Sequence, residues 1–157
     1  MKCISLWQPW ATLLALGEKQ IETRSWKTNI RGPVAIHAAK RKWDSDIVRN
    51  TPFVTVLQRH RPNKAGCFYY DDMLKEILPL GCIVAIGELK RCIEITEENT
   101  PCGYEYAFGD YRPKRYAWLF SNLKQIGPIP YKGRQGFFEV PDSLVSQVIC
   151  YQMNKQN

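Results

Sequence analysis

The chain has 157 residues, with 22 Lys+Arg against 15 Asp+Glu and a net charge of +7, the length of one compact domain and the charge of a protein with an anionic partner. Hydrophobic residues at 45 %, including 5 Trp and 8 Tyr, exclude a disordered or linker-type chain. The longest interior apolar run, Ile83-Val84-Ala85-Ile86, is too short to cross a membrane, and the N-terminus lacks the apolar core of a secretory signal, so a cytoplasmic protein is expected.

In chain order, Cys3 to Leu6 predicts a short strand. A helix follows, because Pro9 fits a first helical position, Trp10, Leu13 and Leu14 recur at helical spacing, and Gly17 supplies a left-handed stop. Lys19 to Ser25 alternates as a strand with Ile21 facing the core. Arg31-Gly32-Pro33 is a turn before a strand over Val34 to Ala38. Asp44 to about Arg61 reads as helix, which Pro52 must break or kink. A basic loop, Arg59 to Gly66, leads to a helix over Tyr70 to Leu78. Gly81 to Ile95 is the clearest strand, Glu97 to Pro113 is loop, and Tyr116 to Ile126 and Phe137 to Val140 are strands parted by a turn at Gly127-Pro128-Ile129-Pro130. A closing helix is expected from Asp142 to about Met153. Five or six short strands with inserted helices indicate an α+β fold built on a small curled sheet or barrel.

The six cysteines (Cys3, Cys67, Cys82, Cys92, Cys102, Cys150) form no C-x-x-C pair, so reduced thiols are expected, with no metal site and no cofactor. Charge is segregated. Thr23 to Trp43 holds six basic residues and no acid, as does Tyr111 to Phe138, whereas Asp71 to Asp110 holds nine acids against three cations. If the two basic windows meet in space they make a cationic face that tracks phosphates, with Trp and Tyr rings for bases. Solvated faces of unrelated strands are the alternative.

Gly17-Glu18-Lys19-Gln20-Ile21-Glu22-Thr23-Arg24 is the densest run of unusual residues. Glu22 and Arg24 share a strand face, where they can pair or flank a site. Lys19, Glu22 and Arg24 near a backbone turn can bind phosphate or serve hydrolysis, and equally can be ordinary exposed ion pairs. His37 is opposite in parity to Ile36 and can face a cleft beside Lys40. Trp7 and Trp26 stack on bases or pack, while Trp10 and Trp118 are expected to pack.

The run Ser5-Leu6-Trp7-Gln8-Pro9-Trp10-Ala11 followed by Gly17-x-Lys19-x-x-Glu22-x-Arg24-Ser25-Trp26 resembles the ASCH family, with its G-x-K-x-x-E-x-R signature, in the PUA-like superfamily. The resemblance continues through Arg31 to Lys40, Gly81 to Leu89, Tyr116-Ala117-Trp118 and Pro128 to Phe137, leaving about 42–80 as a variable helical insertion in one domain over 1–157. It implies a PUA-like β-barrel of five to six strands. It also implies binding of RNA or other nucleic acid, or a single nucleotide or modified nucleoside, in a basic cleft beside the signature strand. Trp7, Gln8, Lys19, Arg24, Trp26, His37, Lys40, Lys132 and Gln135 are the binding candidates. A branch of the family hydrolyses N4-acetylcytidine with a Lys, a Thr and a Glu. Lys19 matches that lysine and Glu88 can stand for the glutamate, but Glu22 occupies the threonine position. The alternative reading is therefore a hydrolase of a modified nucleobase or RNA, with Lys19 and Glu22 as catalytic pair and Arg24 as clamp.

Overall fold

The computed structural model describes residues 1–60, 71–144 and 146. Six strands, β1 (Lys2–Leu6), β2 (Ile21–Arg24), β3 (Gly32–Ala38), β4 (Cys82–Glu94), β5 (Tyr116–Pro130) and β6 (Phe137–Glu139), form one mixed sheet in the order β2-β5-β4-β3-β1-β6. Only β1 and β3 run parallel; the other neighbours are antiparallel. The sheet curls into a half-barrel, α+β as expected.

Its hydrogen bonding stops short of closure, with β2 and β6 as the edges. Side chains span the gap instead. Trp118 of β5, fully buried, lies parallel to Phe137 of β6 with ring centroids 5.1 Å apart, and Trp26 stands edge-on to both, at 4.6 and 5.8 Å. A sheet of alternating strands buries both faces here. Ile4, Leu6, Val34 and Ile36 point to the face covered by α1 (Trp10–Ala15), while Cys3 and Ala35 point to a second cluster with Ile83, Ile129 and Phe138.

The predicted helix after Asp44 is split as Pro52 requires, into α2 (Ser45–Arg49) and α3 (Thr51–His60). Asp44 caps α2, its carboxylate accepting from the Asp46 and Ile47 amides. The next helix, α4 (Asp71–Ile77), ends on α1: Thr12 Oγ1 donates to the Ile77 carbonyl and Gln8 Nε2 to that of Pro79, at 3.3 and 2.9 Å. These side chains satisfy carbonyls that a helix end leaves open. The basic loop over 61–66, Cys67, and all but the first turn of the closing helix lie outside the described residues.

Two expectations change. The loop over Glu97 to Pro113 contains a short helix, α5 (Gly103–Ala107), which is too brief to carry a periodic signal. The turn expected at Gly127 to Pro130 is strand: β5 runs through it to pair Ile129 with Ile83 and Pro130 with Cys82. An irregularity opposite Val84 absorbs Pro128, whose missing N–H would otherwise interrupt the ladder. The chain reverses later, at 131–136.

Cys3, Cys82 and Cys92 are buried free thiols and Cys102 is exposed and free. Among the described residues no helix is long and apolar enough to cross a membrane. Truncating the ring that bridges the open seam, Trp118→Ala, is expected to lower stability by about 3–5 kcal/mol. Urea unfolding of Trp118→Ala, Phe137→Ala and the double variant should return a coupling of about 0.5–1.5 kcal/mol.

Candidate functional site

The signature strand begins with a buried cation. Lys19 is fully buried, and its Nζ donates to the carbonyls of Ile21 and Phe108, the latter at 3.0 Å, with Glu105 Oε1 at 3.8 Å. Burial pulls its ammonium below the ordinary 10.5, while the Glu22 and Glu105 carboxylates pull the other way. Glu105 also accepts from the Gln20 and Ile21 amides, at 2.8 and 3.1 Å, so α5 is pinned to the start of β2. Lys19 is thus committed to holding two segments together. It does not meet Arg24 in one concave site.

Glu22 and Arg24 do share a face. Arg24 Nε lies 3.1 Å from Glu22 Oε1, an ionic contact whose alignment falls short of a directed hydrogen bond. Its Nη2 donates to the Ser5 carbonyl at 3.1 Å, and the guanidinium stands 6.0 Å from the Trp118 ring. β6 pairs only with Lys2 to Ile4, so the Ser5 carbonyl on β1 is left for Arg24.

Beside this contact opens a cavity of about 1140 Å3. That is roughly the upper size of sites for drug-sized ligands, about 300–1000 Å3. Arg24 and Lys40 come to it from the first basic window, Lys132 and Arg134 from the second, and among the described residues no acidic residue lines it. The two windows therefore meet. Lys40 lays its stem across Gly81, where a Cβ would come within 2.9 Å of Lys40 Cγ. Trp7, 55 % exposed, forms part of the wall, and the Arg41 guanidinium sits 4.0 Å from its ring centroid.

His37 and Ser5 form another part of the wall. Parallel pairing sets Ser5 of β1 directly beside His37 of β3, and a register shift between Ile36 and His37 falls at this point. His37 Nε2 is 3.0 Å from the Tyr131 carbonyl, which can only accept, so Nε2 carries the proton. Burial holds the imidazole below its ordinary 6.5, leaving it neutral with Nδ1 bare. Ser5 Oγ–H, 3.0 Å away, donates to Nδ1. Gly133 lies against the pair: a Cβ there would come within 2.4 Å of His37 Cε1 and 2.7 Å of Ser5 Oγ. Only glycine lets the 131–136 loop approach this closely.

Of the sequence candidates, the cavity gathers Trp7, Arg24, His37, Lys40, Lys132 and Gln135. Gln8 is buried, its amide accepting from the Thr12 N–H and donating to Pro79. Trp26 packs on Trp118 and Phe137. Glu22 lines smaller cavities with Trp7 and Trp10. Trp10 packs edge-on to Phe53, as expected of it. Glu88 is bonded to Lys90 and Asn122 and lies outside the large cavity. Sequence reasoning missed Ser5, Tyr131, Gly133 and Arg134. The polar parity of Ser5 between Ile4 and Leu6 was a signal; the Tyr131 carbonyl, a backbone group, had none. Among the described residues no cluster of three or more His, Cys, Asp or Glu is placed to hold a metal.

The family model for the ASCH domain matches residues 4–130. The chain belongs to the ASCH domain family. It is similar to Activating signal cointegrator 1 of Mus musculus, 48 % identical over 159 residues, covering 99 % of this chain and 25 % of that protein. The Homo sapiens protein of the same name is 50 % identical over 91 residues, 58 % of this chain and 14 % of its own length. The chain thus spans a quarter or less of these curated relatives. A crystal structure of ASCH from Zymomonas mobilis superposes with a TM-score of 0.57 at 14 % identity, over 95 % of this chain and 93 % of the other. That likeness gives the fold.

Because His37 has a folded pKa below its unfolded one, the unfolded chain takes up the proton first as pH falls through about 6.5. The stability contributed by neutral His37 is present above that pH and lost below it. Urea midpoints should therefore fall between about pH 7.5 and 5.5, and His37→Gln should flatten that dependence.

Proposed function

We propose that this ASCH domain binds single-stranded nucleic acid, RNA in preference to DNA, in the cavity between β1, β3 and the 131–136 loop. The observation that carries it is the convergence of both acid-free windows on one cavity: Arg24, Lys40, Lys132 and Arg134 line it, no carboxylate among the described residues does, and an exposed tryptophan forms part of the wall. Four cations without a balancing acid favour a ligand with several phosphates over a neutral metabolite. Trp7 supplies a ring face for one base, with Arg41 beside it for the adjoining phosphate. The Gln135 amide and the exposed backbone of the 131–136 loop offer hydrogen bonds to base edges or to a 2′-hydroxyl, which separates RNA from DNA. The PUA-like fold, associated with RNA binding, agrees with this reading.

The hydrolase reading built on Lys19 and Glu22 draws no support from the geometry. The Lys19 ammonium is buried and already has two carbonyl acceptors and a carboxylate neighbour.

Fluorescence anisotropy with a short single-stranded RNA is the test. Affinity should fall steeply between about 50 and 200 mM salt. Lys132→Ala with Arg134→Ala should reduce the slope of log K against log salt by roughly 1.4, about 0.7 per lost phosphate contact. Trp7→Ala should cost about 1–3 kcal/mol of binding without changing that slope. Affinity that ignores salt, or survives the double substitution unchanged, would overturn the assignment.

A further inference from the structure

Three groups in the cavity wall form a hydrogen-bonded chain that nucleic-acid binding alone does not use. Ser5 Oγ–H donates to His37 Nδ1 at 3.0 Å, and His37 Nε2–H donates to the Tyr131 carbonyl at 3.0 Å. A hydroxyl bonded to a base, and that base oriented by a third group, is the arrangement that activates a serine. Packing alone does not call for it: on the same face of the same strands, two residues earlier, Cys3 and Ala35 fill space with apolar atoms. The polar pair occurs where that face meets the cavity.

We propose that Ser5 and His37 are a nucleophile and general base that hydrolyse a carboxylic ester carried by a nucleotide or an RNA strand bound in this cavity. In the first step Ser5 Oγ bonds to the ester carbonyl carbon and its proton passes to His37 Nδ1. The tetrahedral adduct collapses, the carbon–oxygen bond to the leaving alcohol breaks, and Nδ1 returns the proton to that oxygen. Water then attacks the acyl-serine, giving one proton to Nδ1 and its hydroxide to the carbonyl carbon. The Ser5 ester bond breaks, Ser5 recovers its proton, and a carboxylic acid leaves, so ester and water become acid and alcohol.

Several features fit that sequence of steps. Ser5 is half-buried and in the cavity wall, and His37, buried beside it in the same wall, stands edge-on to Phe138 at 6.0 Å, so the base keeps one orientation. Arg24 fixes the carbonyl of Ser5 itself and brings a positive charge to the same cavity wall, where an oxyanion develops. The backbone N–H groups of Lys132, Gly133, Arg134 and Gln135 find no acceptor among the described residues, which leaves further donors in the loop that lines the cavity. The choice of an ester follows from the third group. A backbone carbonyl orients the imidazole but stabilises its protonated form less than a carboxylate would, and among the described residues no carboxylate lines the cavity. Such a pair suits a good leaving group, an alcohol of an ester, over the amine of an amide.

The anionic half of the substrate rests on the nucleic-acid reading; the nucleophile–base pair does not, and the experiment separates them. Wild-type protein is treated with a fluorophosphonate and its intact mass and peptides are measured. It is then assayed on p-nitrophenyl acetate and on an RNA oligonucleotide acetylated on its ribose hydroxyls. Fluorophosphonate is expected to modify Ser5, and kcat/KM on the acetylated RNA is expected to fall at least about 100-fold in Ser5→Ala and in His37→Gln. An unmodified Ser5, or equal turnover by wild type and Ser5→Ala, overturns the pair. Labelling of wild type needs no variant to fold, so a damaged variant does not rescue the idea. Ser5-dependent turnover of p-nitrophenyl acetate without preference for the acetylated RNA, together with no binding of the unacetylated strand, overturns the nucleic-acid reading and the proposed substrate while leaving the pair.

Discussion

Arg24 is the side chain on which the two ends of the sheet depend. A curled sheet of six strands that does not close leaves unpaired backbone at its seam, and β6 is three residues long, too short to cover β1. Arg24 reaches from β2 to the uncovered Ser5 carbonyl, is steered by Glu22, and stands beside Trp118, whose ring stacks on Phe137 of the far edge. One guanidinium therefore ties strands that share no ladder. Both partners are largely withdrawn from solvent, with side-chain exposures of 26 % and 11 %. Removing either strands a partly buried charge, which costs far more than losing an exposed pair.

Seen from this contact, the G-x-K-x-x-E-x-R signature is mainly a piece of architecture with one end in the cavity. Gly17 takes a positive φ of 72° to end α1. Lys19 turns inward to the carbonyls of Ile21 and Phe108, which fastens α5 beneath β2. Glu22 holds Arg24. Only Arg24 lines the large cavity, and the rest of that wall comes from the ends of β1 and β3 and from the 131–136 loop. The charge segregation follows the same logic. The acidic middle section contributes Glu105 to the buried lysine and to two amides of the signature strand, while the basic windows supply the cavity.

The strands, the split helix around Pro52, the α+β class and the family were legible in the sequence, because periodicity, proline and a spaced motif are local. So was the segregation of charge, and six of the nine binding candidates converge on one cavity because both basic windows end at it. The inward course of Lys19 was not legible. Nothing local distinguishes a lysine that snorkels to solvent from one whose acceptors, the Phe108 carbonyl and Glu105, lie more than eighty residues away. Gln8 and Trp26 went elsewhere for a similar reason: Pro79 and the Trp118–Phe137 stack reached them first.

By itself the sequence determined that twelve of the 22 cations of this ASCH chain, whose net charge is +7, are gathered into two acid-free stretches, since composition and motif spacing are properties of the chain alone. Tertiary structure decided which of those cations face a common cavity and which charge is buried as a clamp. It also decided that Ser5, His37 and the Tyr131 carbonyl stand in line. A parallel register sets the first two side by side across thirty-two residues, and a glycine at position 133 lets a distant loop close to van der Waals distance. Hydrogen bonds act over about 3 Å, and only folding brings residues so far apart in the chain within that reach.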